Sequence, residues 1–309
     1  MVSHYFRFTR LDGTDRRRSA LLEQLLARAN APTTVEDWRM DAFRVIAAPS
    51  GPMPAAAAAA LCADRGWVDA AAVLLAAPVH YVAEMSNVRL PADGVLSLQP
   101  VEADTLAGDF NRLWRGAGVR LLAGKGGELF CVFDQLIDAM THDPEEVRGR
   151  YIDGHLPQGA DASRLRRLMS EMEMWMFEHA VNRSRQADGA RAVSGFWLWG
   201  GGAILRELPV VNGWTAGHDP LFKALAAAPR PPLQSNCGVT PGVAVVTAEP
   251  GTDEWRDTES RWLKPSWEAL RMRKISMLHL SARDRCSSVG TGWNWRRWKI
   301  PKPWWESFP

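Results

Sequence analysis

Between Asp161 and Gly189 the chain sets Leu165, Leu168, Met169, Met172, Trp175 and Met176 at steps of three and four. The β-rich run Val193-Ser194-Gly195-Phe196-Trp197-Leu198-Trp199 follows almost at once. The stripe predicts one long helix with a single apolar face, Asp161 as its N-cap and Gly189 as its C′ glycine. The same steps, continued, reach His179, Asn182 and Arg185, so the stripe turns polar on the same face. That end either lines a pocket or emerges into water, and periodicity is compatible with both.

Gly200-Gly201-Gly202 comes directly after Trp199. In open α/β sheets ligands bind beyond the carboxyl ends of strands, and glycines there let backbone N–H groups approach an anion. The triplet is thus a candidate anion nest, with a sharp flexible turn as the alternative. It lacks the spacing and the lysine of a P-loop.

The rest of the chain alternates in the same way. Ser19–Ala29 has leucines at helical spacing, and Glu102–Gly116 is amphipathic. Ala71–Leu90 reads as two strands, and Val119–Leu122 with Glu128–Phe133 as a hairpin around Gly124-Lys125-Gly126-Gly127. Leu221–Ala228 and Trp255–Met272 read as helices, Val243–Thr247 and Ile275–Leu280 as strands. The expected fold is α/β, a mixed sheet with flanking helices. Ala48–Pro54 is too proline-rich for regular structure, and the alanine run after it reads as a helix. The expected organisation is an N-terminal helical arm at 1–50 and an α/β domain at 51–309 with a Trp-rich C-terminal strand segment.

At 309 residues the chain is long enough for a substantial core, and its 46% apolar and 23% charged residues are ordinary for globular domains. The net charge of +2 is too small a field to imply nucleic acid or anionic membrane as a partner. Cys62, Cys131, Cys237 and Cys286 form no CxxC pair, which points to reduced thiols. Met1–Arg18 has no apolar core of a secretory leader, and no apolar run reaches the roughly 18 residues of a membrane span, so a soluble cytoplasmic protein is expected. Of 15 tryptophans, Trp293, Trp295, Trp298, Trp304 and Trp305 crowd beside Arg296, Arg297, Lys299 and Lys302. Interleaved aromatic and basic residues can grip single-stranded nucleic acid, but the alternation from Trp293 to Ile300 is the better match to a strand with one buried face.

Two segments carry a resemblance, the stronger of them in three ordered pieces. Tyr151-Ile152-Asp153-Gly154-His155-Leu156-Pro157, then Glu178-His179-Ala180-Val181-Asn182-Arg183-Ser184-Arg185, then Phe196-Trp197-Leu198-Trp199-Gly200-Gly201-Gly202, with Ala77-Pro78-Val79-His80 upstream, are similar to the bacterial RpfE-type regulatory protein family. Its members are often labelled cofactor-independent phosphoglycerate mutase. Gly154 and Ala180 stand where that pattern has prolines, and Ala77 where it has an aspartate. The order of pieces also resembles the substrate-binding part of archaeal-type phosphoglycerate mutases, of the alkaline-phosphatase-like superfamily. The resemblance implies a pocket for a small anionic metabolite lined by His155, His179, Asn182, Arg185 and Trp199, with Gly200, Gly201 and Gly202 beneath the anion.

Enzymes of that superfamily use two metal ions, which need several Asp and His ligands. Asp12-Gly13 and Ala216-Gly217-His218-Asp219 resemble such signatures only superficially, and seven histidines scattered along the chain make a complete two-metal site improbable. No metal and no cofactor are expected, and no catalytic residue is assigned. His142-Asp143-Pro144 reads as a turn, and Glu145-Glu146 and Glu171 with Glu173 as solvated charge. There is no G-x-S-x-G, HExxH or strand-linked G-x-G-x-x-G. The expected function is a phosphoglycerate-mutase-related binding or regulatory protein for a small phosphorylated or carboxylic acid. The alternatives are an active metal-dependent mutase or phosphatase, and nucleic-acid or protein docking through the Trp-rich basic segment.

Overall fold

The computed structural model describes residues 2–11, 17–35, 37–47, 70–85, 87–205, 210–217, 219–227, 240–248, 250–291 and 300–308. In chain order its strands are β1 (Ser3–Phe8), β2 (Thr33–Thr34), β3 (Ala72–Val79), β4 (Val82–Ala83), β5 (Val88–Leu90), β6 (Val119–Ala123), β7 (Leu129–Phe133), β8 (Arg150–Tyr151), β9 (Gly195–Ala203), β10 (Trp214–Gly217), β11 (Gly242–Val246), β12 (Met277–Ala282) and β13 (Arg285–Gly290). The chain divides into two compact units, Met1–Met53 with Pro209–Pro309, and Pro54–Leu208. Sheets and helices alternate in both, so the α/β class is as the sequence predicts. No helix of the described residues is long and apolar enough to cross a membrane.

The first unit holds a mixed six-stranded sheet in the order β10-β11-β1-β12-β13-β2. Its first four strands are mutually parallel, and the last two pairings, β12 with β13 and β13 with β2, are antiparallel. Parallel strands must be covered on both faces. Phe6, Phe8, Leu278, Leu280 and Val289 meet Leu22 and Leu25 of the helix Ala20–Arg28 and Trp255, Leu263 and Leu270 in one apolar core. Tyr5, Arg7, His279 and Ser281 alternate onto the opposite face. There Arg7 donates to Ser281 Oγ at 3.1 Å and lies 4.8 Å over the ring of Trp38, the first residue of the helix Trp38–Ile46.

These facts correct the expected N-terminal arm. The helix is present, with Ser19 as its cap, but Ser3–Phe8 is an interior strand bonded to β11 on one side and β12 on the other. Both partners lie in the last third of the chain, so no local pattern announces the pairing. The expected linker at 48–54 and the alanine-rich helix after it fall outside the described residues, as do Trp293, Trp295 and Trp298. Trp304 is fully buried in the first unit's core and donates its Nε1 to the Arg17 carbonyl at 2.8 Å, so this tryptophan is unavailable for stacking on a base. Cys131 and Cys286 are buried free thiols; Cys62 and Cys237 lie outside the described residues.

The second unit is built on the antiparallel sheet β6-β7-β3-β9, with a small sheet β4-β5-β8. The predicted hairpin forms, Val119 opposite Phe133 and Ala123 opposite Leu129. The helix Pro100–Leu113 buries Leu106 and Phe110, and the Asn111 side chain bonds the Leu121 backbone in both directions at 2.8 Å. The predicted stripe is the buried face of the helix Ala162–Phe177, through Leu165, Leu168, Met169, Met172 and Met176.

The long helix does not continue to Gly189. It stops at Phe177, and a second helix, Ala180–Ala187, begins behind His179, whose backbone is extended (φ −68°, ψ 141°). Two local bonds favour the break over a continuous helix. The His179 Nδ1 accepts from the Val181 N–H at 3.2 Å, and the Met176 carbonyl accepts from Asn182 Nδ2 at 2.8 Å. A periodicity of three and four is blind to such a cap, since it preserves the face while interrupting the ladder.

His4, fully buried in β1, donates from Nε2 to the Thr240 carbonyl at 3.0 Å, leaving Nδ1 to accept from Ser266 at 2.8 Å. Burial pushes its pKa down from 6.5 to about 4, against the smaller opposing pull of the Thr240 carbonyl. The unfolded chain therefore binds a proton that the folded one refuses between about pH 6.5 and 4, so this stabilisation is complete above that window and lost as pH falls through it. The expected loss is about 3 kcal/mol. Denaturant unfolding at pH 7 and pH 4.5 should show a steeper fall for the native protein than for His4→Gln, and parallel pH profiles would refute the assignment.

Candidate functional site

Asn182 is a buried clip. Its Nδ2 donates to the carbonyls of Met176 and Val193 and its Oδ1 accepts from the Val193 N–H, all at 2.8 Å. It thereby ties the helix break to the segment that leads into β9. Beside it, His179 packs edge-on against Trp175 with ring centroids 4.7 Å apart, and its Nε2 lies 3.3 Å from Asp109 Oδ2. Burial lowers the His179 pKa, and Asp109 offsets this only in part. With Nδ1 already an acceptor, the ring is neutral and carries its proton on Nε2, facing Asp109.

Arg185 joins the same corner but is already engaged. Its Nη1 donates to both carboxylate oxygens of Glu102 at 3.0 Å, and its Nε donates to the Arg191 carbonyl at 2.7 Å. The Arg185 and Glu102 side chains are only 10% and 16% exposed, and Glu102 also accepts from the Gln99 N–H at 2.7 Å in a capping box. An anion arriving here would meet the Glu102 carboxylate first. Arg185 is a brace between the Ala180–Ala187 helix and the start of the Pro100–Leu113 helix.

The glycines lie elsewhere. β9 continues through Ala203, so Gly200, Gly201 and Gly202 are strand residues, with Gly202 opposite Val73 and a register shift between Val73 and Leu75. At Gly201 a Cβ would sit 2.5 Å from Leu74 Cγ, so the missing side chain serves close packing of β9 on β3. Gly200 takes up the irregularity with φ of +65°. The six residue steps of strand from Gly195 to Gly201 amount to about 20 Å. The helix end and the glycines therefore stand at opposite ends of β9, and Trp199 is buried in the strand beside the glycines. His155 falls in a third place, a single turn Asp153–His155, where its ring packs edge-on against His142 at 5.4 Å.

What the structure does open in this unit is a cleft of about 410 Å³ that pattern reading did not identify. Trp114, Val119, Phe133 and Leu168 form its apolar wall, and Ser163, Arg164, Arg167 and Glu171 its polar rim. Trp114 is held rigid, stacked on Phe110 at 4.2 Å and edge-on to Trp175 at 5.6 Å. Arg167 is paired with Glu171 at 2.9 Å. Arg164, half-buried, lies 5.5 Å over the ring of Phe133 and has no ion-pair partner among the described residues. The signal was present as a polar row, Arg164, Arg167 and Glu171 at steps of three and four on the flank of the apolar stripe. The sequence does not show that the hairpin and the Trp114 turn close over that row.

Asn182→Ala should lower stability by about 3 kcal/mol, because it leaves the Val193 N–H and carbonyl buried without partners, while the Met176 carbonyl keeps the His179 N–H. Urea unfolding followed by tryptophan fluorescence measures it, and a loss below about 1 kcal/mol would show that β9 is held by other contacts.

No family model matches the chain. Among proteins of assigned function, it is 28% identical over 179 residues to a 2,3-bisphosphoglycerate-independent phosphoglycerate mutase of Methanothrix thermoacetophila, over 56% of this chain and 42% of that protein. It is 37% identical over 155 residues to phosphoglycerate mutase 2 of the same type from Methanothermobacter thermautotrophicus, over 48% of this chain and 35% of that protein. The chain spans less than half the length of these relatives. A cofactor-independent phosphoglycerate mutase structure from Thermoplasma acidophilum aligns over 94% of this chain and 89% of its own at 14% identity, with a TM-score of 0.33, too loose a superposition to carry a fold argument. By sequence, the chain is a distant relative of the cofactor-independent phosphoglycerate mutases.

Proposed function

We propose that this chain is a binding or regulatory protein of the RpfE type that takes a small phosphorylated or carboxylic acid in the cleft at Arg164, without metal-dependent catalysis. The observation that carries the reading is Arg164 itself: its half-buried guanidinium lies over the Phe133 ring, and among the described residues it has no carboxylate partner. Such a group gains from a bidentate oxyanion, which supplies charge and two parallel hydrogen bonds together. The cleft volume suits a small ligand, and the rigid Trp114 wall would take its hydrocarbon part. The distant relation to phosphoglycerate mutases favours a phosphorylated three-carbon acid as the first ligand to try. The clamp is assigned to Arg164 rather than to Arg185, because Glu102 already neutralises Arg185.

The mutase alternative would draw on Asp12 and His218, which lie outside the described residues, and on Asp219. Both Asp219 oxygens are in use. One accepts from Arg39 Nε at 2.8 Å, and the other accepts from the Leu221 N–H at 3.0 Å, capping the helix Pro220–Ala227. That engagement favours a structural role for the residue.

Calorimetric titration with 3-phosphoglycerate should show saturable binding, weakened at least tenfold by Arg164→Ala, equivalent to about 1.4 kcal/mol, and unchanged in Arg112→Ala, an exposed control. Equal affinity in the Arg164 variant would remove the clamp. Interconversion of 2- and 3-phosphoglycerate in the presence of manganese would overturn the non-catalytic reading.

A further inference from the structure

The histidine pair His142 and His155 belongs to neither the cleft nor the brace. His142 Nδ1 lies 2.9 Å from the His155 carbonyl, and His155 Nδ1 lies 3.2 Å from the Tyr151 carbonyl. A carbonyl only accepts, so both rings carry a proton on Nδ1. Their Nε2 atoms, without hydrogen-bond partners among the described residues, are left with lone pairs. This is the arrangement that metal-binding imidazoles adopt, with one nitrogen fixed by a backbone acceptor and the other free to ligate.

The spacing agrees. Two imidazoles bound through Nε2 to one ion at about 2.0–2.1 Å place each ring centroid about 3.2 Å from it, and a tetrahedral angle then separates the centroids by about 5.2 Å. The observed separation is 5.4 Å, with the planes 80° apart. The pair is also held in place. Trp197, buried in β9, donates its Nε1 to the His142 carbonyl at 2.7 Å, and an antiparallel bridge between Met140 and Gln158 joins the two segments behind the rings. Both rings are half-buried, which leaves a side open to solvent.

We propose that His142 and His155 form a two-imidazole site for a borderline divalent transition ion of the zinc class. Imidazole nitrogen suits such ions rather than magnesium or calcium. Among the described residues no group of three or more His, Cys, Asp or Glu side chains forms a metal cluster, so water completes the coordination and the ion exchanges readily. The site departs from the expectation of no metal, and it lies on residues other than the Asp12 and His218 signatures.

Zinc titrated into the full-length protein should bind with one-to-one stoichiometry, and the affinity should fall on acidification as protons compete for the nitrogens. His142→Gln and His155→Gln should each weaken binding at least tenfold, while His80→Gln leaves it unchanged. Imidazole 15N spectra should show both rings as Nδ1–H tautomers in the apo protein, with both Nε2 resonances shifting on zinc addition. Far-UV circular dichroism confirms that the variants fold. Zinc binding unaffected in both variants, no binding by the native protein, or phosphate rather than zinc moving the Nε2 resonances would each overturn the proposal. None of these readouts depends on Arg164, so failure here leaves the cleft reading intact, and the reverse also holds.

Discussion

The second unit depends on the antiparallel pairing of β3 with β9. β3 reads Ala-Val-Leu-Leu-Ala-Ala-Pro-Val, without a polar side chain, and its first five residues are fully buried. It lies between β7 and β9, so it can exist only where both neighbours are present. Its proline is placed accordingly: β7 pairs only with Ala72–Leu75, and Pro78 lies beyond that ladder, where a missing N–H costs least. On the other side β9 gives up three side chains, and at Gly201 this lets Leu74 close against its backbone. The glycines that look like a ligand-binding turn are consumed in making this contact.

Once β9 is fixed, the polar groups around it sort by what they hold. Asn182 and Arg185 lie at its N-terminal end and are used on neighbouring backbone and on Glu102. Trp197, near its middle, reaches out to the His142 carbonyl and so sets the position of the histidine pair. The helix Ala162–Phe177 lays its apolar face on β9, and its polar flank carries Arg164 to the cleft. A single strand thus orders the Asn182 clip at its start, the histidine turn and the helix that carries the cleft wall, and only groups whose hydrogen-bonding capacity is left over are available for a ligand. That criterion moves the functional reading from Arg185 to Arg164.

The first unit obeys a different constraint. Four adjacent parallel strands need cover on both faces, and the chain provides it from segments far apart in sequence. One face is apolar. The other carries Arg7 against Ser281 and Trp38, with Tyr5 stacked on His279. This polar layer keeps its charge by hydrogen bonding and cation–π contact, the terms under which a buried guanidinium is tolerable.

Local periodicity by itself determined the α/β class, the hairpin around Gly124–Gly127, the apolar face of the Ala162–Phe177 helix and the strand leading into the glycines. Each rests on neighbours within a few residues, where the 3.6- and 2-residue repeats act directly. The kinship with phosphoglycerate mutases was legible for the same reason, since short ordered motifs survive in sequence. Tertiary structure decided what those elements do. It made Ser3–Phe8 an interior strand, because its partners are β11 and β12. It broke the helix at His179, because a side-chain cap and the Asn182 clip hold the chain more firmly there than one further turn. It also set Glu102 against Arg185 and left Arg164 over Phe133, since a charge is free or spent only according to what the fold brings within about 4 Å of it.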